Sequence, residues 1–224
     1  MSFILLLKKT VRSVIRARLV WLMLLSAVLA VVLVIALATA ITWLTAHFVL
    51  LEKGWLDTLV NWIVGAVSGI GGWFILPAFI VLISGVFQEI TIYKVEAADY
   101  PDHIRTNEPH LWPDIMHDIR FTLKALSLNI LVLPFYFVGI GFVLSIALNS
   151  YLLGREFFEN AAGYHIGKPK ARELGRLNRK TVYGSGFVVT ILTLVPILNL
   201  FAPIVAIIWM VHVFHSISEQ SVSQ

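Results

Sequence analysis

"LKALSLNILVLPFYFVGIGFVLSIALNSYLL", residues 123–153, is an apolar run interrupted by Pro134, Gly139 and Gly141. As one straight span it would carry the chain across a membrane. The seven cations that follow (Arg155, Lys168, Lys170, Arg172, Arg176, Arg179 and Lys180) would then lie on the far side. As a turn at "PFYFVGIG" it brings the chain back to the side it came from. The arms 125–133 and 142–153 hold 9 and 12 residues. At about 1.5 Å per residue they reach only about 13–18 Å, half of a bilayer core.

Charge placement chooses between the two. The chain has 224 residues, 58% hydrophobic and 13% charged, with a mean hydropathy of +0.86. Long apolar runs in such a composition are membrane segments. There are four, at 19–51, 59–88, 125–153 and 182–214. In the first, Trp21 and Trp43 are 22 residues apart, roughly 33 Å along a helix, like the two rims of an aromatic belt. This run is too long for a signal-peptide core and reads as a helix of the mature protein. The second contains Gly65-x-x-x-Gly69, a small-residue face for close helix packing, and Pro77. Of 17 Lys and Arg residues, Lys8, Lys9, Arg12, Arg16 and Arg18 precede the first segment, and Lys53 alone follows it. Lys94, Arg105, Arg120 and Lys124 lie between the second and third segments. The positive-inside rule puts all of these except Lys53 in the cytoplasm. It keeps the seven later cations there only if residues 125–153 turn back.

Residues 182–214 read either as a kinked span or as a second hairpin, and the paired prolines and the likeness to residues 125–153 favour the hairpin. Pro196 and Pro203 bracket a tip with Asn199 between them, and proline stops a helix from continuing. The expected fold is an all-α integral membrane protein, a single membrane domain over residues 1–224. It comprises two long transmembrane helices (about 19–51 and 59–91) and a polar amphipathic stretch (94–124). A half-penetrating, re-entrant helical hairpin (125–153), a basic cytoplasmic linker (155–180) and a second hairpin (182–214) follow.

Irregular backbone at membrane depth is tolerated where it is buried or lines a wet cavity, and paired broken helices mark translocation sites. The return arm of each hairpin would begin near mid-membrane. Its free N–H groups and positive dipole end would then face the tip, an arrangement that suits an anion. The tip candidates are Pro134, Gly139, Gly141, Pro196, Asn199 and Pro203. Asn129 and Asn149 are either amide donors along the arms or helix–helix glue. Arg12 and Arg16 share a helix face. With Ala17 and Arg18 they form either a topology signal among lipid headgroups or a cradle for an oxyanion. Arg155 and Glu159, one turn apart, read as a structural ion pair. Glu89 reads as interfacial or as a proton carrier. His103, His110 and His117 recur every seven residues, but Pro109 and Pro113 interrupt any shared helix. The chain has no cysteine, no Gly-rich phosphate loop, no His-Glu-x-x-His and no Gly-x-Ser-x-Gly. We therefore expect no enzyme activity, no cofactor, no metal and no nucleic-acid partner.

"VGIG" (138–141), "NSYLLGREFFE" (149–159) and "TLVPILNLFAPIVAI" (193–207) together resemble the CysZ/etoposide-induced protein family. The resemblance covers most of the chain and is strongest over residues 133–214. It implies a bacterial inner-membrane transporter that supplies sulfate for cysteine synthesis, with two long helices, two half-penetrating hairpins, cytoplasmic helical extensions and oligomerisation. The family's sulfate site resembles a Gly-x-Arg stretch at the start of the first helix. "SVIRARLVW" (13–21) stands there, so Arg16 and Arg18 match the basic pair and no residue matches the glycine. The expected partners are sulfate or a similar oxyanion, the lipid bilayer and further copies of the chain. A non-transporting membrane scaffold of the same fold is the alternative.

Overall fold

The computed structural model describes residues 3–48, 87–104 and 111–222, and it is all-helical apart from short turns. The second long helix expected at about 59–91 lies outside the described residues up to residue 86, as do the expectations for Lys53, Gly65, Gly69, Pro77, Pro109 and His110. The chain divides into two units, Trp21–Phe87 and the remainder, Met1–Val20 with Gln88–Gln224. Most of α2 (Leu19–Phe48) belongs to the first of these; this helix is 30 residues without a charged side chain, about 45 Å long. Trp21 and Trp43 are exposed on it.

The larger unit contains α1 (Phe3–Arg16), α3 (87–99), a 3-10 turn at Pro101–His103 and α4 (Leu111–Val132). Then come a 3-10 turn at Leu133–Tyr136, α5 (Gly141–Ile166), α6 (Lys168–Leu177), α7 (Arg179–Thr193), α8 (Pro196–Asn199) and α9 (Ala202–Val222). The core is α9. Its Ile204, Ile207, Ile208, Met210, Val211 and Val213 are at most 3% exposed. A helix this apolar has to be surrounded, and α1, α5, α7 and α8 pack against it. In contrast, α1 buries Leu6, Thr10 and Ser13, while Ile4, Val11 and Ile15 form an outward apolar stripe.

No glycine or proline separates α1 from α2, yet the chain breaks there. The Ala17 N–H donates to the Ser13 carbonyl at 2.9 Å, and Arg18 takes a left-handed φ of 51°. Arg18 therefore stands beyond the end of the helix that carries Arg12 and Arg16.

The chain also turns at residues 133–140. Pro134 opens the 3-10 turn and Gly139 closes it with φ 83°, a conformation that glycine adopts without strain. From there α4 and α5 run antiparallel: Lys124 meets Tyr151, Phe121 meets Arg155, and His117 meets Glu159. Both helices outrun the apolar arms. Residues 155–166, in the stretch expected as a basic linker, continue α5 as a helical extension, because Phe157, Phe158, Ala161 and Ala162 give that stretch a buried apolar face. Most of the linker's remaining cations sit on α6, which packs on α5.

At Gly154 and Gly186, α5 and α7 touch backbone to backbone. A Cβ on Gly186 would lie 2.0 Å from the Ser150 carbonyl oxygen and 2.6 Å from the Gly154 Cα. Gly154 lies against both Val182 and Gly186, with Ser150 opposite Gly186, so α5 and α7 are antiparallel. Parallel to α5, α9 brings His215 and Phe214 beside His165. The turn at 133–140 and the breaks around α8 consequently lie at one end of this unit. Pro196 starts α8 and Pro203 lies at the start of α9. Side chains at these turns are exposed and apolar, Phe137 at 95% and Ile197 at 72%. Among the described residues, Met116–Tyr136 and Ala202–Glu219 are long and apolar enough to cross a membrane.

Two alanine substitutions on α7 separate packing from helix propensity. Gly186→Ala forces the α5 and α7 backbones apart and should lower stability by about 1–3 kcal/mol. Gly184 has nothing within 4 Å of its Cβ position, so Gly184→Ala should be neutral or stabilising, by up to about 1 kcal/mol. Thermal unfolding of the two variants in detergent checks the difference.

Candidate functional site

The end of the unit opposite the turns holds its titratable groups. Arg16, in the last turn of α1, pairs with Asp99 at 3.2 Å while half its side chain stays in solvent. The Ser13 hydroxyl touches the other Asp99 oxygen and lies 2.9 Å from His212 Nε2. His212 Nδ1 in turn lies 2.9 Å from the Tyr100 hydroxyl. A carboxylate only accepts, so Ser13 donates to Asp99, Nε2–H donates to Ser13, and the Tyr100 hydroxyl donates to Nδ1. One directed chain of hydrogen bonds thus ties the Arg16 end of α1 to α9 and to residues 99–100. Ser13 and His212 are fully buried, as satisfied polar groups can be.

Next to it, Tyr100 stacks on His215 with ring centroids 3.9 Å apart. His215 Nε2 and His165 Nε2 reach the same Glu96 oxygen, Oε1, at 3.0 and 2.6 Å. Burial pushes Glu96 up, but hydrogen bonds from both imidazoles and their charge outweigh it and hold the carboxyl below its ordinary value. Oε2 of the same carboxylate is buried and has no hydrogen-bond partner among the described residues. A cavity of about 390 Å³ opens beside this cluster, lined by His103, His165, Phe214, His215, Ser218 and Glu219.

A second concavity, about 290 Å³, lies between α4, α5, α6 and α7 and is basic, with Lys124, Arg155, Arg172 and Arg176 around it. Two of these cations are engaged. Lys124 donates to the Tyr151 hydroxyl at 2.8 Å. Arg155 donates to Glu159 Oε1 at 2.6 Å and lies over the Phe121 ring at 4.8 Å. The other Glu159 oxygen meets His117 Nε2 at 2.6 Å, so one buried carboxylate joins α4 to α5.

The residues singled out in the sequence fall at opposite ends of the fold. Arg12 and Arg16 are exposed on α1, Ala17 and Arg18 form the break, and the first turn of α2 follows directly. Each helix start leaves N–H groups free for an acceptor. Pro134, Gly139, Gly141, Pro196, Asn199 and Pro203 all lie at the turn end. The amides of Asn129 and Asn149 are used within their own helices, on the Ala125 carbonyl and the Ser145 hydroxyl. Glu89 is exposed on α3. His103 and His117 separate, one beside His215 and the other on Glu159. The Glu96, His165 and His215 convergence was missed; its three members are 69 and 50 residues apart and carry no motif.

Glu159→Ala would leave Arg155 buried without its carboxylate and His117 without its acceptor. A loss of about 3–5 kcal/mol is expected, read as a lowered midpoint of thermal or denaturant unfolding.

The family described as Sulfate transporter CysZ/Etoposide-induced protein 2.4 matches residues 6–203. No curated protein and no solved structure gives a significant match.

Proposed function

The chain belongs to the CysZ/etoposide-induced protein family of membrane proteins, and on that premise we propose that it passes sulfate or a related oxyanion across a membrane. The observation that carries this reading is the family match, which takes in α1, the turn at 133–140 and the Pro196–Pro203 tip. The geometry supports it. Ten residues separate Lys124 from Pro134, fourteen separate Arg155 from Gly141, and thirteen separate Lys180 from Thr193. The uncharged depth behind the turns on these three arms is therefore about 15–21 Å, roughly half a bilayer core, and on α9, from Pro203 to Glu219, about 24 Å. We read α4–α5 and α7–α9 as re-entrant hairpins whose apolar tips lie at mid-membrane. The titratable end and the N-terminus then share the cytoplasmic face of a bacterial inner membrane.

In this reading the oxyanion is bound by Arg16 and Arg18 at the break that starts α2. Guanidinium groups bind oxyanions by paired N–H contacts, and free N–H groups at the helix start add to them. Arg12, one turn earlier, raises the local anion concentration. Asp99 competes for Arg16, so an arriving anion exchanges with a carboxylate and is held without being trapped. Passage past the tips uses backbone N–H groups and Asn199, with no covalent step. The outward apolar stripe of α1 suits a helix lying in the membrane interface.

Sulfate flux into liposomes tests the reading. The wild-type chain should transport labelled sulfate, Arg16→Ala/Arg18→Ala should abolish most of the flux, and Asp99→Asn should retain or raise it at low sulfate. Flux no greater than in protein-free liposomes would contradict transport and leave a membrane scaffold. Unchanged flux in the double variant would move the anion site elsewhere.

A further inference from the structure

We propose that Glu96, His165 and His215 form a binding site for one divalent first-row transition metal, a role separate from anion passage. Their donor atoms, one from each residue, all lie within 4.8 Å of one another. Each comes from a different helix: α3, the C-terminal end of α5 and the C-terminal half of α9. A tetrahedral zinc ion about 2.0–2.1 Å from each donor needs donor separations of about 3.4 Å. The observed contacts of 2.6 and 3.0 Å from the two Nε2 atoms to Oε1 are close to that. Widening these two contacts to that spacing is the adjustment that a bound ion requires of the three side chains.

Donor type points to the metal class. Two imidazoles and one carboxylate suit zinc, cobalt, nickel, copper or iron, whereas magnesium and calcium take oxygen ligands throughout. The Glu96 side chain is 1% exposed, and its Oε2 is the buried acceptor that meets no donor among the described residues. A bound cation would satisfy that oxygen as well as Oε1. Three protein ligands leave a fourth position, as in open zinc sites. The cavity that touches both ligand histidines supplies it, with room for water and with His103 and Glu219 on its wall. Stacking fixes the two rings, His215 on Tyr100 and His165 on Phe214 at a centroid distance of 5.3 Å. Pre-oriented rings on three helices are what a metal site requires of its supporting structure. The metal would clip α3 to α5 and α9 at the titratable end of the fold.

The test uses the full, tag-free chain in detergent after chelator treatment, with cobalt as probe. One cobalt per chain should bind with the visible absorption of a low-coordinate site, and zinc should displace it. Glu96→Gln and His215→Asn should each weaken binding by at least about 100-fold, and His103→Ala by no more than about 10-fold. X-ray absorption of the zinc-loaded wild-type chain needs no variant, and it should show imidazole scattering from two histidines. No saturable binding at one per chain overturns the proposal. So does a zinc shell without imidazole, or cobalt absorption that survives in Glu96→Gln/His165→Asn.

Discussion

The contact of α5 with α7 at Gly154 and Gly186 sets the plan of the larger unit. With hydrogen as the side chain on both, the two backbones approach until the Ser150 carbonyl oxygen occupies the place of a Gly186 Cβ. The register this contact imposes aligns the turn before α5 with the breaks after α7. It also lets α9 return alongside α5, burying a largely apolar helix whose His212 and His215 find polar partners.

The ion pairs among the described residues collect at the other end. Glu159 joins α4 to α5 through His117 and Arg155, and Glu96 joins α3 to α5 and α9 through two histidines. The Asp99–Ser13–His212–Tyr100 chain holds α1 in place. Glu96 and Glu159 each have two partners, and this offsets the cost of removing their charge from water. The larger unit is consequently polar along its axis, apolar and turn-rich at one end and titratable at the other. The proposed insertion of two tips from one face of a bilayer needs that polarity.

The sequence already indicated the helix breaks, because proline and glycine act locally: Pro134, Gly139, Pro196 and Pro203 all mark turns or helix starts. The i, i+4 spacing of Arg155 and Glu159 likewise put both on one helix face. Three features were not legible. The α1–α2 break falls at Ala17–Arg18, where no residue prefers a left-handed backbone, so tertiary contacts at Ser13 and Arg16 must hold it. Residues 155–180 read as a charged linker because cations dominate the composition, while Phe157, Phe158, Ala161 and Ala162 supply the buried face. The Glu96, His165 and His215 cluster exists only once three helices are packed, and isolated histidines have no spacing to betray them.

The most direct measurement of this account is the depth of its two tips in a bilayer. The chain has no native cysteine, so single cysteines at Phe137 and Ile197 can carry nitroxide labels without further changes. Both labels should sit near mid-membrane at similar depth, shielded from water-soluble relaxation agents on either face. A label at either position found in water on the face opposite the N-terminus would mean a complete crossing, and the re-entrant arrangement would be wrong.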